Sequence, residues 1–259
     1  LFQAVFLRSI ITVPPVLLLV WVTKVTLRNL AKQDIRLIWL RVGAEICTTI
    51  AFLTALKYMP LANVTAILQA LPLAVTMAAA LFLSEPIGWR RWSAILVGFL
   101  GVLIVVRPGL DGFNVYSLSA LAEIIFITVR EIATRKLAQE VPTITVVLST
   151  AIGSAVFSGI MMIGAEWHTV SASSWLLLIG AAFAVLIATL LSVMAMRTGE
   201  IGFVSPFRYT SMLGAICLGI LMFGEWPDQL TLAGTLIIVI TGIYTFHREQ
   251  KVSRGVTAS

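Results

Sequence analysis

Apolar residues dominate this chain in long runs, and polar residues collect in the short gaps between them. Each run is about 17–25 residues, the length a helix needs to cross roughly 30 Å of hydrocarbon. The pattern predicts nine spans, at about 1–22, 38–57, 63–83, 91–107, 115–138, 142–164, 174–196, 202–223 and 230–247. The gaps carry turn chemistry: Met59-Pro60, Glu85-Pro86-Ile87-Gly88, Arg107-Pro108-Gly109, Val141-Pro142 and Trp226-Pro227-Asp228. Short connections make successive helices antiparallel neighbours. The expectation is an all-α, polytopic membrane helix bundle.

Composition agrees. Of 259 residues, 59% are hydrophobic and only 12% charged, with mean hydropathy +1.01. A water-soluble domain carries about a quarter charged residues. The net charge of +6 raises the question of nucleic acid, but its placement answers it. Connections after alternate spans hold Lys24, Arg28, Lys32, Arg36, Arg90, Arg91, Arg135, Lys136 and Arg197, with Arg248, Lys251 and Arg254 in the tail. The opposite connections hold only Lys57 and Arg107. Sorting by span parity is a topology signal, and it places the first set and the C-terminus in the cytoplasm. No nucleic-acid partner is expected. Trp89, Trp92, Trp167, Trp175 and Trp226 fall near span ends, where an aromatic belt belongs.

The chain also matches itself at a shift of 140 residues. ALKYMPLANV from Ala55 falls on AMRTGEIGFV from Ala195, and LFLSEP from Leu81 falls on LMFGEW from Leu221. Ala55/Ala195, Val64/Val204, Leu73/Leu213, Leu81/Leu221 and Glu85/Glu225 are identical. The partners 63–83 and 202–223 lie five spans apart, an odd number, so they run in opposite directions. That is an inverted-topology repeat, a common plan of secondary carriers. The span at 115–138 has no partner, since its image would precede Leu1, so a tenth helix is expected ahead of this sequence. The domains expected are a first repeat over 1–110, a second over 111–248 and a cytoplasmic tail over 249–259.

The stretches that carry the repeat, ALKYMPLANVTAILQALPL, LFLSEPIGWRRWSAILVGFLGVLIVVRPG and SPFRYTSMLGAICLGILMFGEWPDQLTLAGTLIIVITGIY, resemble the EamA family of the drug/metabolite transporter superfamily. The resemblance covers nearly the whole chain. It implies two inverted-topology repeats of five helices, of which nine helices are present. It also implies alternating access around a central cavity and a small metabolite as cargo. Amino acids, nucleosides and vitamins are the family's solutes, and SPFRY resembles a subgroup with riboflavin and S-adenosylmethionine carriers.

Arg8, Glu45, Glu123, Arg130, Glu131 and Arg208 lie inside spans rather than in the connections. Such a residue costs about 2.5–3.5 kcal/mol at mid-membrane, so it needs a partner or a wet cavity. At 1.5 Å per residue, Glu45, Arg130, Glu131 and Arg208 lie roughly 9–12 Å from the cytoplasmic helix ends. An inner cluster of these four is expected, with an outer pair of Arg8 and Glu123. Arg8 and Glu131 are read as gating or ion-pair residues. The candidate solute contacts are Glu45, Thr65, Gln69, Glu123, Arg130, Ser205, Arg208 and Tyr209. Thr65 and Gln69 lie one turn apart, and Gln69 aligns with Tyr209 at the repeat shift. Pro72 and Pro206 mark the matching helices, where a carrier's site is expected. The alternative is structural: ion pairs that hold helices together, prolines that only bend them. Ala70/Ala74/Ala78, Ser211/Ala215/Gly219 and Gly180/Ala184/Ala188/Ser192 read as close-packing faces, and Glu85 and Glu225 as residues bonding the start of the next helix.

Cys47 and Cys217 sit in apolar runs, and His168 and His247 have no catalytic or ligating partners at a meaningful spacing. There is no phosphate-binding loop and no dinucleotide fingerprint. No cofactor, metal or catalytic residue is expected. The leading reading is a secondary transporter in the bacterial inner membrane. Its partners are a small solute and the bilayer, with a homodimer as an option. The alternatives are a membrane-embedded enzyme or lipid-handling protein, and a channel.

Overall fold

A computed structural model describes residues 2–24, 30–82, 88–107, 114–198, 214, 216–224 and 226–256. Among them the ordered elements are helices: α1 (Phe2–Thr23), α2 (Lys32–Tyr58), α3 (Leu61–Leu68), α4 (Leu71–Phe82), α5 (Trp89–Val106), α6 (Ser117–Lys136), α7 (Thr143–Met161), α8 (Ala172–Thr198), a π-helical turn (Gly219–Phe223) and α9 (Gln229–Val256). Among the described residues five spans are long and apolar enough to cross a membrane, α3 and α4 counting as one; the apolar parts of α5 and α9 are shorter. The exterior is apolar, with Leu18, Leu96, Leu100, Leu176, Leu177 and Leu191 all exposed, while Arg41, Gln69 and Glu131 are buried. That polarity is the reverse of a water-soluble protein and suits a lipid solvent.

Most of the expected spans are found, with informative differences. Helix α2 starts at Lys32, six residues before the expected 38. The last helix continues to Val256, through most of the expected tail. The third span is interrupted between α3 and α4. Of the span at 202–223, only residues 214 and 216–223 fall among the described residues.

The 140-residue repeat reappears in the helix ends. Helices α2 and α8 start at 32 and 172 and end at 58 and 198; α5 and α9 start at 89 and 229. The partners also pack against each other: α1 against its image α7, and α5 against its image α9.

The chain forms two compact units. One comprises Leu1–Ile46 and Val129–Thr198: α1, the first part of α2, the end of α6, α7 and α8. Its apolar core gathers Val16, Ile38, Val42, Val146, Leu186 and Val193. A β-carbon at Gly153 would run into Val42, so α7 approaches α2 closely there. At one end the α6–α7 connection is tied down from two sides. Asp34 accepts from the Ala138 N–H (3.1 Å), and Arg197 donates to the carbonyls of Ala138 (3.0 Å) and Gln139 (2.9 Å). The face Gly180/Ala184/Ala188, expected to pack, is exposed instead; α8 buries Ala182, Leu186, Val193 and Met196. Those residues share the helix with the small ones but sit on a different side.

The other unit comprises Cys47–Thr128 and Gly199–Ser259. Here α5 and α9 meet backbone to backbone. A β-carbon on Gly101 would lie 2.9 Å from the Gly234 carbonyl oxygen, and one on Gly234 would lie 2.7 Å from the Gly101 oxygen. Small residues let helices approach this closely where lipid offers no hydrophobic drive between them. Asp228 caps α9, accepting from the Thr231 N–H (3.2 Å), and pairs with Arg107 at the end of α5. Burial pushes the Asp228 carboxyl up, but hydrogen bonds from Thr231 and Arg107 and the Arg107 charge hold it below its ordinary value. This capping role was expected of Glu225, which lies outside the described residues, as does Glu85.

Candidate functional site

The first unit encloses a network of charges. Helix α2 carries Arg41 and Glu45 one turn apart, hence on one face. Helix α6 carries Arg130, Glu131 and Thr134. Arg130 is shared between two carboxylates: Nη1 donates to Glu45 Oε2 (2.7 Å) and Nη2 to Glu131 Oε1 (3.0 Å). A planar guanidinium suits this division, because its donors point in fixed and separate directions. Ser192 of α8 donates a longer bond to the same Glu131 oxygen (3.4 Å).

Arg41 is 2% exposed and is held differently. Its Nε donates to the Thr134 hydroxyl (2.9 Å), and its Nη1 to the Thr150 hydroxyl of α7. Each hydroxyl passes its own proton to the carbonyl one turn back, Thr134 to Arg130 (2.7 Å) and Thr150 to Val146 (2.8 Å). Their lone pairs are therefore aimed at Arg41. Beside this network lies a cavity of about 30 Å³, lined by residues including Arg8, Ser9, Thr12, Glu45, Thr150 and Ser154. That volume admits a water or two.

Three of the four residues of the expected inner cluster, Glu45, Arg130 and Glu131, are thus brought together. The fourth, Arg208, lies outside the described residues, as do Ser205 and Tyr209. Arg8 was expected to face Glu123; within its own unit it faces Glu45 across the cavity. The reason is the early start of α2. Counted from the α1–α2 connection at 1.5 Å per residue, Arg8 is roughly 24 Å from Lys24 and Glu45 roughly 20 Å from Lys32, so both occupy the same level. Glu123 belongs to the second unit, where it is buried (4% exposed). Arg41 was missed, although it lies inside the span at 38–57 and one turn from Glu45. That spacing was the available signal.

In the second unit the candidates Thr65 and Gln69 lie on the interrupted span. Pro72 has no N–H and crowds the Leu68 carbonyl one turn back. The chain tightens there: the Ala70 N–H bonds the Ile67 carbonyl three residues back (3.1 Å), and Gln69 sits in the turn, 2% exposed. Thr65 spends its hydroxyl proton on the Leu61 carbonyl (2.8 Å). Seventy-two per cent of the apolar window of Leu61–Phe82 is buried, against 17% for α1, so this broken span is the most enclosed of the five found among the described residues. Broken, enclosed helices with polar residues at the break are where carriers bind solutes. Among the described residues no group of His, Cys, Asp and Glu could hold a metal ion.

Comparisons with known proteins agree with this picture. A family model described as the EamA-like transporter family matches residues 1–107 and 115–246. A riboflavin transporter of Vibrio cholerae is 30% identical over 217 residues, covering 83% of this chain and 72% of that protein. An S-adenosylmethionine uptake transporter of Rickettsia conorii is 27% identical, covering 76% of this chain and 66% of that protein. A pseudopaline exporter of Pseudomonas aeruginosa is 25% identical, covering 93% and 84%. One solved crystal structure shares the fold with a TM-score of 0.70 at 21% identity, over 93% of this chain and 85% of that one. The chain is a multi-pass membrane protein that belongs to the EamA-like transporter family.

Proposed function

We propose that this chain is a secondary carrier that moves a small metabolite across the bacterial inner membrane by alternating access, with its C-terminus in the cytoplasm. The observation that carries the reading is the family match over both halves of the chain, joined to the agreement of helix ends at the 140-residue shift. Two repeats of opposite sense supply two equivalent ways of closing, which alternating access requires. In this reading residues 1–110 and 111–248 are the two repeats. The relatives named for riboflavin, S-adenosylmethionine and pseudopaline support a reading of the cargo as a polar metabolite of moderate size.

The reading assigns roles to named residues. Gln69 and Thr65 at the broken span contact the solute, together with Glu123 and with Ser205, Arg208 and Tyr209 of the matching segment. Glu45, Arg130, Glu131 and Arg8 form the charged layer that rearranges with the gates, and Arg41 joins them. The burial of Glu131 and Arg41 supports this role: ions held inside a membrane are kept for function more readily than for stability. The test is uptake into proteoliposomes. Gln69→Ala combined with Tyr209→Ala abolishes saturable uptake; unchanged uptake removes these residues from the site.

A further inference from the structure

The charges inside the first unit do not balance. Its segments, Leu1–Ile46 and Val129–Thr198, contain five carboxylates in all: Asp34, Glu45, Glu131, Glu140 and Glu166. Asp34 is engaged by the α6–α7 connection, and Glu140 and Glu166 are exposed in connections. Only Glu45 and Glu131 reach the interior, where they share Arg130. Arg8 and Arg41 remain. Three guanidiniums against two carboxylates leave an excess of one positive charge. A net charge is costly in a membrane span, so this one calls for a counter-ion.

The excess has a place to be met. Arg41 is consumed by two threonine hydroxyls. The Arg8 guanidinium makes no hydrogen bond among the described residues, and it lines the cavity with Ser9, Thr12, Thr150 and Ser154. Thr12 gives its proton to the Arg8 carbonyl (2.8 Å). The Ser9 and Ser154 hydroxyls stand in the lining as further polar groups. A volume of about 30 Å³ is of the order of one carboxylate group or one halide ion. We propose that this cavity is an anion subsite, taking one monovalent anion of carboxylate or halide size with Arg8 as its cation. Glu45 on the rim sets a ceiling on affinity, because its charge opposes the ligand even while Arg130 holds it.

The test is equilibrium binding to the purified intact protein in detergent, so its outcome does not depend on whether the chain transports anything. Thermal stability is followed as potassium formate or potassium chloride replaces potassium gluconate at constant ionic strength, gluconate being too large for the cavity. The expected result is saturable stabilisation by the small anion. It is lost in Arg8→Gln, retained with weaker half-saturation in Arg8→Lys, and shifted to about tenfold lower concentration in Glu45→Gln. A response to formate but not chloride assigns the subsite to the carboxylate end of a larger solute; a response to both assigns it to a free anion. A non-saturating response, or one of equal size in wild type and Arg8→Gln, overturns the proposal. Should Arg8→Gln not fold, an unchanged or weakened half-saturation in Glu45→Gln overturns it alone.

Discussion

Arg130 is the group whose loss exposes the logic of the buried network most sharply. Arg130→Gln removes one cation that serves two carboxylates, Glu45 at 2.7 Å and Glu131 at 3.0 Å. Glu131 has 3% side-chain exposure, so water cannot replace the guanidinium there. Breaking a buried pair by removing one partner costs about 3–5 kcal/mol, since the other charge is left uncompensated. Arg8 and Arg41 remain beside the two carboxylates and offset part of the loss, which puts this variant at the lower end. For a chain of this size such a loss lowers the thermal midpoint by roughly 6–20 °C. The control is Glu45→Gln combined with Arg130→Gln, which removes one charge of each sign and leaves the net charge of the unit as it was. Neutral replacement of a buried pair is often close to harmless, so the double variant recovers part of the midpoint. The assay is thermal unfolding of detergent-purified protein, followed by size-exclusion of the soluble fraction. A single variant as stable as wild type, or a double variant no better than the single, refutes the reasoning.

Other predictions follow from separate places in the fold. Gly234→Val drives a side chain into the Gly101 carbonyl and Val105; overpacking of this kind costs about 1–3 kcal/mol, read in the same unfolding assay. Asp228→Ala loses both the cap on α9 and the partner of Arg107, and costs about 0.5–2 kcal/mol, whereas Asp228→Asn keeps the cap and costs less. Because the Asp228 carboxyl is held below its ordinary value, its contribution is full above the ordinary carboxylate range and fades as pH falls through the depressed value. Acid therefore narrows the gap between wild type and Asp228→Asn, and alkali leaves it unchanged. Pro72→Ala restores a donor to the Leu68 carbonyl and closes the turn at Gln69; stability holds or rises while saturable uptake falls, and uptake at wild-type rate would separate the break from transport.

The helical architecture was legible because hydrophobic runs report hydrocarbon thickness directly. The 140-residue repeat was legible from the matching connections and from Glu85 and Glu225, not from hydropathy, and the helix ends repeat it at α2/α8 and α5/α9. What hydropathy misses is hydrogen bonding beyond the hydrocarbon. Asp34 and Arg36 are polar, so the second span was expected from residue 38, yet backbone bonding carries α2 back to Lys32. That difference of six residues moved Glu45 to the level of Arg8 and away from the expected layering. Arg130 as the bridge between Glu45 and Glu131 was foreseen as a cluster. The choice of partner for Arg41 was not, because two threonines are indistinguishable from ordinary apolar-span residues until α6 and α7 are placed around it. Pro72 was visible from the start, and the structure adds that the turn it forces holds Gln69.

The central claim, alternating access by a secondary carrier, is tested most directly by counterflow. Purified protein is reconstituted into liposomes preloaded with unlabelled riboflavin, S-adenosylmethionine or pseudopaline, and trace labelled solute is added outside. A carrier accumulates label transiently above its equilibrium level, with saturation as the outside concentration rises, for at least one of the three. Flux that rises linearly and ignores the preload, or none above protein-free liposomes for all three, contradicts the account.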